Sequence, residues 1–114
     1  MSIHIKTDHP LVLLEKIKNL IESKEIVTWE YDRDGDFTHT ATQWTKKAWF
    51  RSFIKNGDLI FGILCTAKKA ITVEEYAVYH GRFIEMLLSH FDGNCSKLEV
   101  SPLPTNYDKI KPEI

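Results

Sequence analysis

No proline falls between residues 11 and 101; the four prolines are Pro10, Pro102, Pro104 and Pro112. Nothing in that pattern marks an internal domain boundary, and no repeat or low-complexity stretch interrupts the chain. The two cysteines, Cys65 and Cys95, lack the CxxC spacing of a redox or zinc motif. Cys65 lies in the apolar run LIFGILCT, and both cysteines read as plain thiols of a reducing compartment. No apolar run approaches the roughly 18–20 residues needed to cross a bilayer. The opening MSIHIKTDHP has neither the apolar centre nor the small-residue cleavage site of a secretion signal. These absences lead to the expectation of a soluble, cytoplasmic protein that does not engage a membrane.

Chemical motifs are missing as well. The five glycines, Gly35, Gly57, Gly62, Gly81 and Gly93, form no phosphate-cradling loop and no dinucleotide fingerprint. No nucleophile elbow is present. His80 and His90 are too far apart for the i, i+4 spacing that lets two ligands meet on one helix, so no HExxH zinc site exists. Neither a cofactor nor a metal is expected. The net charge of −1 leaves no basic excess for phosphates, so a dedicated nucleic-acid binder is not favoured.

What is present is the composition of a folded globule: 114 residues, 43% hydrophobic and 11% aromatic. Residues 10–24 carry Leu13, Leu14, Ile17, Leu20 and Ile21 on one helical arc, with Pro10 in the first turn and Thr7 or Asp8 as cap. IVTWEYDR, FTHTATQW, KAWFRSFI and LIFGILCT read as four strands, the last nearly all apolar. Residues 73–91 read as a second helix, capped by Thr72 with Glu75 three residues on and ended by Gly93 in a left-handed cap. The fold class expected is α+β: a four-stranded antiparallel meander with an N-terminal and a C-terminal helix on one face. SKLEV is available for a fifth strand and IHIK for a short one. Residues 1–101 form the single domain, and residues 102–114 an extended or flexible tail.

Two hairpin registers follow. Asn56-Gly57 suits a type I′ turn, which sets Phe50 opposite Ile63, Phe53 opposite Ile60, Trp49 opposite Leu64 and Arg51 opposite Gly62. Gly62, inside a strand, marks a bulge or makes room for Arg51. Asp34-Gly35 suits the same turn. It sets Arg33 opposite Asp36, Tyr31 opposite Thr38, Trp29 opposite Thr40 and Glu30 opposite His39. The segment YDRDGDFTHT also places Asp32, Asp34 and Asp36 at the first three ligand positions of a calcium loop. Its glycine, Gly35, however, stands at position four where position six is required, and Gln43 stands at position twelve where a glutamate is needed. The hairpin tip therefore explains the segment, with a weak surface cation site as the remaining option.

Charge is uneven along the chain. Glu30, Asp32, Asp34 and Asp36 against Arg33 give residues 30–36 a net −3. Lys46, Lys47, Arg51, Lys55, Lys68 and Lys69 against Asp58 give residues 46–69 a net +5. Aromatic residues are interleaved with the basic ones, and both sheet faces look partly apolar, which leaves one face for the tail or another molecule to cover. The function expected is a small non-catalytic interaction module that self-associates or binds another protein through an aromatic sheet face. The candidate binding residues are Trp29, Tyr31, Trp44, Trp49, Lys46, Lys47 and Arg51. A single-stranded nucleic-acid or small-ligand binder using residues 44–55 is the alternative. A small enzyme centred on His80, with His39 as a second candidate, is the third reading.

Overall fold

A computed structural model describes residues 2–112. The elements are β1 (Ile3–Lys6), α1 (Pro10–Glu22), β2 (Trp29–Tyr31), β3 (Phe37–His39), β4 (Trp49–Lys55), β5 (Asp58–Leu64), α2 (Val73–Phe91), a 3₁₀ turn (Asp92–Asn94) and β6 (Lys97–Val100). The strands form one antiparallel sheet in the order β2-β3-β4-β5-β1-β6. The α+β class holds, but the sheet has six strands where a four-strand meander was expected. IHIK and the KLEV of SKLEV are both strands: β1 pairs with β5 on one side and with β6 on the other.

The β4–β5 hairpin has the register its turn dictates: Trp49 opposite Leu64, Phe50 opposite Ile63, Arg51 opposite Gly62 and Phe53 opposite Ile60. Asn56 and Gly57 both adopt positive φ, at 53° and 81°, as a type I′ turn requires. The β2–β3 hairpin differs by one residue from expectation. Trp29 faces His39, Glu30 faces Thr38 and Tyr31 faces Phe37. The cause is the turn: the Gly35 N–H donates to the Asp32 carbonyl at 2.9 Å, which makes Arg33 and Asp34 the central pair. Gly35, at φ +80°, then takes the left-handed position after the turn, the geometry of a three-residue loop. A one-residue shift reverses the face of every side chain.

Other boundaries also move. IVTWEYDR is strand only over Trp29–Tyr31, and FTHTATQW only over Phe37–His39. Beyond it, the Trp44 and Thr45 N–H groups both donate to the Ala41 carbonyl, and Lys46 adopts φ 57°, so the chain winds through turns into β4. His9, not Thr7 or Asp8, occupies the N-cap of α1, without a side-chain bond. Gly93 lies in the 3₁₀ turn rather than in a left-handed cap. In α2 the capping box forms as expected: the Glu75 N–H donates to Thr72 Oγ1 at 3.0 Å, and the Thr72 N–H to Glu75 Oε1 at 2.9 Å. Burial pushes the Glu75 carboxyl up, but the Thr72 bonds and nearby Lys69 outweigh it and hold the group below its usual value.

Both helices pack into one core. Leu13, Leu14 and Ile17 of α1 and Tyr79, Phe83, Met86 and Leu87 of α2 meet Ile3, Ile5, Phe37, Phe50, Leu59, Phe61 and Ile63 of the sheet. Trp29 is fully buried among them. On the opposite face the chain supplies its own cover, because residues beyond Pro102 return across it. The Tyr107 ring lies 5.1 Å from that of Phe53 and 5.9 Å from that of His4. Past the end of β1, the segment takes up the vacated edge of β5. The Lys109 N–H donates to the Ile63 carbonyl at 2.8 Å, and the Cys65 N–H to the Lys109 carbonyl at 2.7 Å. Asp108 clamps the arrangement, accepting from the Ile63 N–H at 2.9 Å and the Thr105 N–H at 2.8 Å.

Candidate functional site

Three of the residues singled out in the sequence converge on one pocket. Trp29, His39 and Trp44 line a recess of about 180 Å³ together with Thr28, Ala41, Gln43, Arg82 and Glu85. The short β2–β3 ladder sets Trp29 and His39 side by side, their rings edge-to-face at 5.1 Å and 78°. The Trp29 indole also stands edge-to-face against Tyr79 and Phe83. Among the described residues its Nε1 is the one buried side-chain polar atom without a hydrogen-bond partner.

The turn after β3 supplies Ala41, Gln43 and Trp44, and a chain of hydroxyls holds it. Thr38 Oγ1 accepts the Lys46 N–H at 3.0 Å and lies 3.1 Å from the Tyr79 hydroxyl, which in turn donates to the Trp44 carbonyl. Since a phenol has one proton, the Thr38 hydroxyl donates to Tyr79. His39 Nδ1 accepts the Ala41 N–H at 3.1 Å. The neutral ring must therefore carry its proton on Nε2. Burial pushes the His39 imidazole below its ordinary value of 6.5, and Arg82 adds to the effect while Glu85 opposes it. Arg82 and Glu85 stand one turn apart on α2, paired at 3.3 Å and both more than half exposed. Sequence reasoning missed this pair, although i, i+3 spacing of opposite charges on one helix face is readable.

The remaining candidates are dispersed. Trp49 is half-buried and Arg51 exposed on the face opposite the helices. Lys46 and Lys47 project from the turn into solvent. Tyr31 is half-buried at the sheet edge, where its hydroxyl donates to Glu22 at 2.6 Å and Lys18 lies over the ring. The bond to Glu22, with some burial, raises the phenol above its usual range. His80 is buried in α2, its Nδ1 2.7 Å from the Tyr76 carbonyl and its ring against Tyr76 and Phe50. A carbonyl only accepts, so this nitrogen bears a proton.

At the β2–β3 tip, Asp32, Asp34 and Asp36 each bring a carboxylate oxygen within 4.8 Å of the others. The chain provides its own counter-charge there. Arg51 forks onto Asp36, Nε to Oδ1 at 3.0 Å and Nη2 to Oδ2 at 2.7 Å. Asp32 Oδ1 accepts the N–H groups of Asp34 and Asp36. The bond to Asp36 raises the Arg51 guanidinium further above its ordinary value.

A second recess, about 280 Å³ and mostly apolar, lies between the first turn of α2 and the returning C-terminal segment. Ile71, Val73, Tyr76, Pro102, Pro104 and Ile110 form its walls. The Ile71 N–H donates to the Ile110 carbonyl at 2.8 Å and ties the two sides together. No helix among the described residues is long and apolar enough to cross a membrane. Compared with protein-family models, curated proteins and solved structures, the chain matches none.

Proposed function

We propose that the protein is a small non-catalytic interaction module that associates with a second copy of itself. The aromatic sheet face expected to carry that contact is not free: Trp29 points into the core, and the C-terminal segment lies over Phe53 and Gly62. The contact surface proposed instead is the apolar recess between α2 and that segment. One observation carries the reading. Val73 and Leu103, 86% and 76% exposed, are the two most solvent-exposed large apolar side chains among the described residues. Val73 walls the recess, and Leu103 stands between two of its wall residues, Pro102 and Pro104. Exposed apolar patches of this kind mark contact surfaces.

The arrangement suits a two-fold contact, in which the same patch must offer both a knob and a hole. Leu103 is the knob and the recess is the hole. Proline on either side limits the backbone freedom that burying Leu103 would otherwise cost. Sedimentation equilibrium from micromolar to hundreds of micromolar tests the reading. Wild type is expected to dimerise within that range, and Leu103→Asp and Val73→Asp to remain monomeric with unchanged circular dichroism. A wild type that is monomeric throughout overturns it.

A further inference from the structure

We infer that the recess lined by His39, Arg82 and Trp44 binds a carboxylate group. This site is separate from the apolar recess of the self-association reading and does not depend on it.

The Ala41 N–H occupies His39 Nδ1, which commits the neutral ring to presenting Nε2–H. Burial favours that neutral form, so the histidine enters the site as a hydrogen-bond donor rather than as a cation. Arg82 supplies the charge. Its guanidinium is held by Glu85 through one contact at 3.3 Å, between side chains 57% and 65% exposed. Such a pair on a solvated helix face is weak and exchanges readily. An incoming carboxylate replaces Glu85 on a guanidinium fork whose geometry it matches.

Size and charge narrow the ligand. A recess of about 180 Å³ takes a carboxylate and a short stem. Sites for whole drug-sized ligands or cofactors run to roughly 300–1,000 Å³. One arginine opposed by one glutamate suits a monoanion better than a phosphate dianion, which would bring a second negative charge against Glu85. Trp44 and Ala41 give the stem an apolar wall. A carboxylate of this kind comes either from a small free acid or from the C-terminus of a peptide.

The test is a ¹⁵N NMR titration with sodium acetate, against sodium chloride at equal ionic strength, following the indole N–H of Trp44 and the His39 ring. The expected result is a saturable shift of both signals with acetate and none with chloride. Arg82→Gln should weaken binding by about tenfold or more, and Glu85→Gln should tighten it, because the competing carboxylate is gone. Both positions are exposed, so neither variant depends on the fold tolerating a core change. Absence of a saturable shift, or an equal shift in Arg82→Gln, overturns the inference. A short acetylated peptide and its C-terminal amide then separate the two sources. Tighter binding of the free-acid peptide than of acetate, lost in the amide, assigns a chain terminus. Equal affinity for peptide and acetate assigns a small free acid.

Discussion

Gly62 and Tyr107 are in contact through backbone: a Cβ built on Gly62 would overlap the Tyr107 carbonyl group, with its carbon 2.6 Å away. The glycine is needed neither as a bulge nor as room for Arg51. It is where the C-terminal segment lies flat on the sheet. Backbone on both sides of the contact leaves little room for relief. Gly62→Ala should destabilise the fold by about 1–3 kcal/mol, the usual range for overpacking. It should also speed hydrogen exchange at the Lys109 and Cys65 amides, whose bonds join the segment to β5. Urea denaturation and exchange read these separately, and a variant matching wild type in both would show that the segment is not seated there.

Gly81 offers the opposite case. It lies within α2 on the exposed side, and a Cβ added there meets nothing within 4 Å. Glycine inside a helix costs roughly 0.5–1 kcal/mol relative to alanine, so Gly81→Ala should stabilise by about that amount. A rise in the urea midpoint with unchanged slope is the expected observation; a fall would mean that the position has a packing role.

The Arg51–Asp36 fork joins a half-exposed guanidinium to a carboxylate 7% exposed. Arg51→Ala leaves that carboxylate without its cation. Allowing for solvent screening on the arginine side, the loss should be about 1–2 kcal/mol. Arg51→Lys should recover only part, since an ammonium cannot form two parallel bonds to one carboxylate. Equal stability of Arg51→Lys and wild type by urea denaturation would rule out a contribution from the fork geometry.

Stability should fall in mildly acidic solution. The folded state holds His39 below its ordinary 6.5, so between those values the unfolded chain takes up a proton that the folded chain refuses. The stability present above about pH 6.5 is thus lost as pH drops through the lowered value. Glu75, held below 4.5, adds a further loss at lower pH with the same sign. Denaturation midpoints at several pH values, paired with the NMR titration of the His39 ring, test this. A ring titrating at or above 6.5 contradicts it.

Local chemistry was legible in the sequence. Asn56-Gly57 fixes the β4–β5 register, and Thr72 with Glu75 fixes where α2 begins, because each depends on residues a few positions apart. Asp34-Gly35 misled by one residue, since the same glycine serves either as a central turn residue or as the left-handed residue after the turn. The β1–β5 and β1–β6 pairings were beyond reach, because nothing in four residues of IHIK names Phe61 or Val100 as partners. The same limit applies to the sites. Trp29, His39 and Trp44 were noticed singly, but their meeting with Arg82 and Glu85 depends on how α2 crosses the sheet.

The placement of β1 between β5 and β6 sets the order of synthesis against the order of assembly. Lys6 pairs with Asp58, and Ile3 with both Phe61 and Val100. A nascent chain therefore emerges with an apolar, strand-forming segment whose two neighbours do not yet exist. That strand ends in the interior of the sheet, yet it is among the last to be closed on both sides. Such distant pairings slow folding and lengthen the time that Ile3 and Ile5 are exposed to other chains. Of the six strands β1 is made before the others and gains its second neighbour only once Lys97–Val100 has been made, so Ile3 and Ile5 wait through most of this stretch of synthesis.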